Sequence, residues 1–219
     1  MFSVPASSAQ RLIDYSGLQV CEYLPGRAVV MLMLVRYVDG DLGSYHEFGT
    51  AVMVNPPGPR SQTRRPRALT RLSEAAAFIH HLPVDQTFTL EAGQRIWGFP
   101  KVMADFTVRE NEKEFGFDVK IDGQLIAGVD FRRGLPVPAA LTSRSQVLKT
   151  YSHRDGDTRE VLWEMRITGM RARPGGARVR LGDHPWATEL SSLGLPKRAL
   201  VSQSAANMAM TFGDAHLIS

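Results

Sequence analysis

A lysine that follows two aromatic residues and a proline is the group in this chain best suited to covalent chemistry. In the segment Glu91-Ala-Gly-Gln-Arg-Ile-Trp-Gly-Phe-Pro-Lys101, an extended backbone ahead of Pro100 places Trp97, Phe99 and Lys101 on one side. Lysines are rarely buried, and an ammonium among apolar rings loses hydration, which favours the neutral, nucleophilic amine. Such an amine attacks a ketone to form a Schiff base. The competing expectation is an exposed ammonium at a loop corner, the commoner fate of a lysine. Trp97 and Phe99 are by default core aromatics, and as apolar walls they desolvate the amine without leaving that role.

Other chemistry finds less support. The sequence has no His-Glu-x-x-His, Cys-x-x-Cys, Gly-x-Ser-x-Gly or P-loop pattern, so common metal, hydrolase and nucleotide signatures are absent. His80 and His81 are adjacent; on a strand they point to opposite faces, which predicts structural or surface roles and no shared metal. No metal site and no organic cofactor is expected.

The elements that must position the lysine read as mostly β. A short helix capped by Ser7 or Ser8 precedes strands at 18–23 and 28–37, a turn at Asp39-Gly40-Asp41, and a strand at 45–54 that the prolines at 56, 57 and 59 terminate. The alanine-rich stretch from Ser73 to Phe78 fits a helix or a strand. Phe115, Phe117, Val119 and Ile121 alternate with polar residues up to Asp122-Gly123 and return through Leu125 to Phe131, a hairpin. Val161 to Ile167 is predicted to pair with Ala177 to Leu181 across Pro174-Gly175-Gly176, and 200–210 to close the chain as a helix. Together these predict a single α+β domain spanning 1–219, a curved antiparallel sheet or β-barrel-like fold with few flanking helices.

Bulk composition agrees with a globular protein. At 219 residues, 43% hydrophobic and 22% charged, the chain can bury a core without disulfides, and its one cysteine, Cys21, cannot form an internal disulfide. The start carries no charged segment followed by an apolar run, and the apolar stretch 28–35 is too short to span a bilayer. A cytoplasmic protein with no membrane partner is expected. The net charge of +4 comes mostly from arginine, and Arg60, Arg64, Arg65, Arg67 and Arg71 cluster in one Pro-rich segment. No aromatic residues interleave them, so this reads as a solvated loop and not a nucleic-acid arm.

The segment Gly93 to Lys101 resembles the active-site region of the acetoacetate decarboxylase-like superfamily. Gly43-Ser-Tyr45-His-Glu47-Phe-Gly49 resembles that family's Gly-x-Tyr-x-Glu-x-Gly strand, Arg144 to Lys149 resembles its arginine followed by Leu-Lys, and Leu181 to Ile218 follows its order of features. The resemblance implies that Lys101 is a Schiff-base lysine, that Glu47 is an active-site glutamate and that Arg144 binds a substrate carboxylate, its bland alternative being a surface ion pair. It implies a lyase decarboxylating acetoacetate or a related 3-oxo acid, needing no cofactor, and a homo-oligomer. The family's decarboxylases carry a second lysine after the catalytic one; here Val102 stands there, the second family carboxylate falls at Leu32, and the expected amino-terminal arginine has no counterpart. An aldolase or dehydratase acting on a pyruvate-like oxo acid through the same lysine is therefore the second expectation, and a non-catalytic ligand-binding protein the third.

Overall fold

A computed structural model describes residues 1–58, 68–112, 114–142 and 145–218. Arg60, Arg64, Arg65, Arg67 and Arg144 lie outside the described residues. The chain opens with β1 (Phe2–Pro5), α1 (Ala6–Ile13), β2 (Gln19–Val20), β3 (Arg27–Tyr37) and β4 (Tyr45–Asn55). α2 (Ala68–Glu74), β5 (Ala76–Val84), α3 (Thr87–Trp97) and β6 (Lys101–Met103) lead to a meander of β7 (Asp105–Glu110), β8 (Glu114–Ile121) and β9 (Gln124–Arg132). The chain finishes with β10 (Leu135–Pro136), β11 (Gln146–Arg154), β12 (Asp157–Thr168), β13 (Arg171–Pro174), β14 (Ala177–Leu181), α4 (Pro185–Ser192), β15 (Val201–Ser204) and β16 (Asn207–Leu217).

Strand outweighs helix by 55% to 18%, which places the fold in the mostly antiparallel α+β class. The large sheet runs β1-β3-β4-β5-β11-β12-β16, with β2 on β4 and β6 on β5; a second sheet runs β14-β9-β8-β7 and a third β10-β13-β15. Of the two expected forms, the open sheet is present and the closed barrel is not. β1 and β16 end at opposite edges of the large sheet, so it stays open. Two of its pairings, β5 with β11 and β5 with β6, are parallel.

Period-two side-chain alternation gives the large sheet a core on each face. Val30, Val52 and Phe78 face one way, against Phe117, Val119, Ile126 and Val129 of the second sheet and Leu190 and Leu193 near α4. Their neighbours Val29, Ala51 and Ala77 face the other way, with Ile79, Leu82, Phe99 and Trp163. Each fully buried Phe or Leu side chain contributes about 1.5–3 kcal/mol relative to exposure, so both faces commit the strand register strongly.

Several expectations from the sequence change. α1 starts directly after Pro5 with no side-chain cap from a serine, and the strand expected over 18–23 contracts to two residues. The ambiguous alanine-rich stretch is helix to Glu74 and strand from Ala76. Ala76 to Ile79 are almost wholly buried between two neighbouring strands, and that burial outweighs alanine's helix preference. Strand β12 pairs with β11 and β16, whereas β14 pairs with β9 in the second sheet. Between them β13 joins a third sheet, and Gly175 and Gly176, at φ +62° and +82°, turn the chain from β13 into β14. The expected closing helix is strand, because Met208, Met210 and Phe212 line up with Ile167, Met165 and Trp163 of β12.

Candidate active site

Lys101 is the first residue of β6, and its position follows from how α3 ends. Gln86 Oε1 accepts from the Thr89 amide at 2.7 Å, capping the start, and Gly98 at φ +65° terminates the helix. Pro100 follows and cannot resume it. The extended approach expected for Trp97 is thus wrong for that residue: it closes a helix. The chain then enters the large sheet beside β5, with Lys101 paired to Leu82, and Gln94 Nε2 donates to the Lys101 carbonyl at 2.7 Å.

Glu47 comes from β4, two residues after Tyr45 and so on the same face. Its Oε2 lies 2.7 Å from Lys101 Nζ, and both residues are only 4% exposed. Lys101 Nζ also donates to Thr89 Oγ1 at 2.9 Å and sits 5.4 Å from the centre of the Tyr45 ring, within cation–π reach. From β3, Tyr37 Oη donates to Glu47 Oε1 at 3.3 Å, and the rings of Tyr37 and Tyr45 stack at 4.2 Å. Thr89 and Gly93 are one helical turn apart on the buried side of α3. A Cβ at Gly93 would lie 2.6 Å from Cδ and Cε of Lys101, so only glycine leaves the lysine this path.

The buried ion pair is held by more than Coulomb attraction, since isolated burial of either charge costs several kcal/mol. Thr89 satisfies a second ammonium proton and Tyr37 the second carboxylate oxygen. Burial, followed by the charge of Glu47, pushes the Tyr37 phenol well above its ordinary range. The same two causes bring Tyr45 to about 12, against hydrogen bonds to Thr89 and Tyr37 that pull downward. Both phenols therefore stay protonated near neutrality. Tyr37 and Tyr45 also line a recess of about 270 Å³ together with Arg36, Ser44 and His46.

The structure brings Lys101 and Glu47 together and separates Trp97 and Phe99 from the role expected of them. Their ring contacts are with each other, Phe212 and Trp163, and Trp97 Nε1 donates to the Gly213 carbonyl at 2.9 Å. The ring over the amine is Tyr45, and its nearest polar partners are a carboxylate and a hydroxyl, not an apolar pocket. Tyr37, Thr89 and Gly93 were not singled out from the sequence. Gly93 lies within the motif segment itself; Tyr37 becomes visible only through the β3–β4 register, where it opposes Tyr45.

His80 and His81 overturn the opposite-face expectation. The β4–β5 register slips between Thr50 and Ala51, and this bulge turns both imidazoles to one side, with centroids 4.0 Å apart. Both Nε2 atoms approach Glu189 Oε2 of α4, at 2.9 and 2.6 Å. Burial opposes charge on Glu189, but the hydrogen bonds from His80 and His81 prevail and bring it down to about 2. Burial lowers His81 to about 4. Among the described residues this is the one grouping of three metal-capable side chains.

The fold is thus mostly antiparallel α+β, with a buried lysine–glutamate pair at the junction of β4, β6 and α3. The acetoacetate decarboxylase (ADC) family model matches residues 1–218, and the chain belongs to that family. An acetoacetate decarboxylase from Legionella pneumophila is similar in structure at 21% identity, with a TM-score of 0.59 over 87% of this chain and 73% of that one. A structure of acetoacetate decarboxylase aligns at 16% identity and a TM-score of 0.63, covering 99% of this chain and 84% of that one. The enduracididine biosynthesis enzyme MppR, complexed with pyruvate, aligns at 13% identity and a TM-score of 0.61 over 99% of this chain and 86% of that one. These likenesses show the fold. A comparison with curated proteins finds no match.

Proposed function

We propose that this chain is a Schiff-base-forming lyase of small oxo acids, most simply a decarboxylase of acetoacetate or a related 3-oxo acid. The observation that carries the proposal is the buried contact of 2.7 Å between Lys101 Nζ and Glu47 Oε2. Before an ammonium can attack it must lose a proton, and Glu47 is the base within hydrogen-bond reach. The neutral amine adds to the ketone carbon of the substrate, giving a carbinolamine; the carboxyl proton of Glu47 then goes to the leaving hydroxyl, which departs as water. The resulting iminium takes up the electron pair released as the carboxylate leaves as CO₂. Protonation of the enamine carbon and hydrolysis return ketone and free lysine. The iminium is itself the electron sink, so no organic cofactor enters these steps.

Arg144 is assigned the substrate carboxylate on the strength of its motif. The proposal includes a cytoplasmic homo-oligomer: no helix among the described residues is long and apolar enough to cross a membrane, and α3 exposes the large apolar Phe88 and Ile96. Val102 in place of a second lysine favours a second reading, aldol or dehydration chemistry on a pyruvate-like oxo acid through the same imine. Both are tested by intact-mass spectrometry after borohydride reduction with acetoacetate or pyruvate. An adduct on the native chain that vanishes in Lys101→Ala supports the imine, and CO₂ release separates the two reactions. No adduct on a folded native chain with either acid ends both.

A further inference from the structure

We propose that His80, His81 and Glu189 form a binding site for a divalent transition metal, with Zn²⁺ as its natural occupant. The site lies outside the lysine centre, where Glu189 of α4 meets β5 on the face of the large sheet that packs against the second sheet. His80 is buried beside Tyr15 and Phe78, Phe78 belonging to the core on that face, and Glu189 stands one residue before the buried Leu190. Two imidazoles and one carboxylate are a donor set that zinc accepts, and three protein ligands leave a fourth position for water.

Geometry supports a shared ion. The three ligand atoms all fall within 4.8 Å of one another, and Glu189 Oε2 is 2.9 Å from His80 Nε2 and 2.6 Å from His81 Nε2. Zinc bonds of ~2.0–2.1 Å at tetrahedral angles place ligand atoms about 3.3 Å apart, so insertion requires the carboxylate to withdraw by roughly half an ångström. Glu189 is the partner able to do this. It sits at 37% side-chain exposure, against 7% and 12% for the histidines, and that exposure also opens the fourth position to solvent.

The surroundings fix the two rings. The Trp186 indole stacks on the His81 imidazole at 3.7 Å and 14°. Tyr15 Oη lies 2.8 Å from His80 Nδ1, an outer-shell contact that orients the ring and that accepts from Nδ1–H in the tautomer whose Nε2 lone pair faces an ion. Without metal the same atoms hold an alternative arrangement, each Nε2–H donating to Glu189 Oε2. Binding exchanges these two hydrogen bonds for coordination, each ring proton moving from Nε2 to Nδ1 through solvent. A bulge that brings consecutive strand histidines to one side, opposite a helix carboxylate, joins β5 to α4 through the ion.

The test uses the untagged full chain, stripped with a chelator and titrated with ZnCl₂ by calorimetry in competition with a chelator of known affinity. One equivalent is expected to bind. Glu189→Gln and His81→Asn should each weaken binding at least a hundredfold, and Tyr15→Phe by about ten- to a hundredfold. Co²⁺ in place of Zn²⁺ should give the intense visible absorption of a four-coordinate ion. Circular dichroism checks folding, and Glu189→Gln, at a partly exposed helix position, keeps the test decisive if His81→Asn does not fold. Absence of saturable 1:1 binding, affinity unchanged in Glu189→Gln, or a weak six-coordinate Co²⁺ spectrum would overturn the proposal.

Discussion

Replacing Gly93 by alanine separates the lysine's position from the fold. The new methyl would lie 2.6 Å from Cδ and Cε and 3.3 Å from Nζ of Lys101, whereas ordinary contacts begin near 3.4 Å. The side chain must therefore withdraw by about 3.4 − 2.6 = 0.8 Å. From the present 2.7 Å to Glu47 and 2.9 Å to Thr89, a shift of that size directed away from one of them lengthens that contact to at most about 3.5 or 3.7 Å, at or beyond the limit of a hydrogen bond. Gly93 lies inside α3 with ordinary helical geometry, so alanine itself favours the helix by about 1 kcal/mol. Loss of charge-assisted hydrogen bonding costs about 1.5–3 kcal/mol, leaving a net destabilisation of about 0.5–2 kcal/mol in a folded protein. A misplacement of this size slows positioned chemistry by roughly a hundredfold. The assay is the rate of borohydride-trapped adduct formation with acetoacetate, read by intact mass, beside urea denaturation. A variant that traps at the native rate with native stability would refute the steric argument.

Further outcomes follow from the same contacts. Lys101→Ala should lose the adduct and fall in stability by about 3–5 kcal/mol, because Glu47 is left buried without its partner; combining Lys101→Met with Glu47→Gln should recover much of that loss in urea. Glu47→Gln alone should slow imine formation by about 10²–10⁴ while the lysine remains, measured by the trapping rate. Tyr45 is raised from 10.0 to about 12, so its contribution to stability is complete below pH 10 and is lost as pH rises toward 12. Tyr37 shifts in the same direction. Ultraviolet difference absorbance should show tyrosinate appearing together with unfolding, and Tyr45→Phe should reduce the alkaline loss. On the second sheet, Arg109 bridges Asp118 and Asp130, and Arg180 also reaches Asp118. This network is substantially exposed, so Asp118→Asn should cost only about 0.2–1 kcal/mol, most of it removed by high salt in thermal melts.

Where the physics is local, the sequence alone was sufficient. The alternation through Phe115 to Ile121 with its Asp122-Gly123 turn specifies the β8–β9 hairpin, and the Val- and Met-rich run from 28 specifies β3. Lys101 and Glu47 were visible as candidates through the residue patterns around them, although 54 positions separate the two. The end of α3 was also written locally, in Gly98 and Pro100, but Thr87 and Thr89 obscure its start as β-formers and glutamine is an unusual cap.

Only the tertiary structure decided what those residues meet. A stretch such as Ala76 to Ile79, or the Met-rich tail, has no fixed conformation until neighbouring strands bury it. Trp97 and Phe99, nearest to Lys101 in sequence, pack elsewhere, while Tyr37, Tyr45, Glu47 and Thr89 arrive from three other elements. The histidine pair makes the same point: two neighbours on an ideal strand diverge, and one shifted residue of register turns both toward a glutamate 108 positions away. Local propensity acts within a few residues. Register, bulges and layer packing are settled by burial across the whole sheet, and these place the amine against the carboxylate.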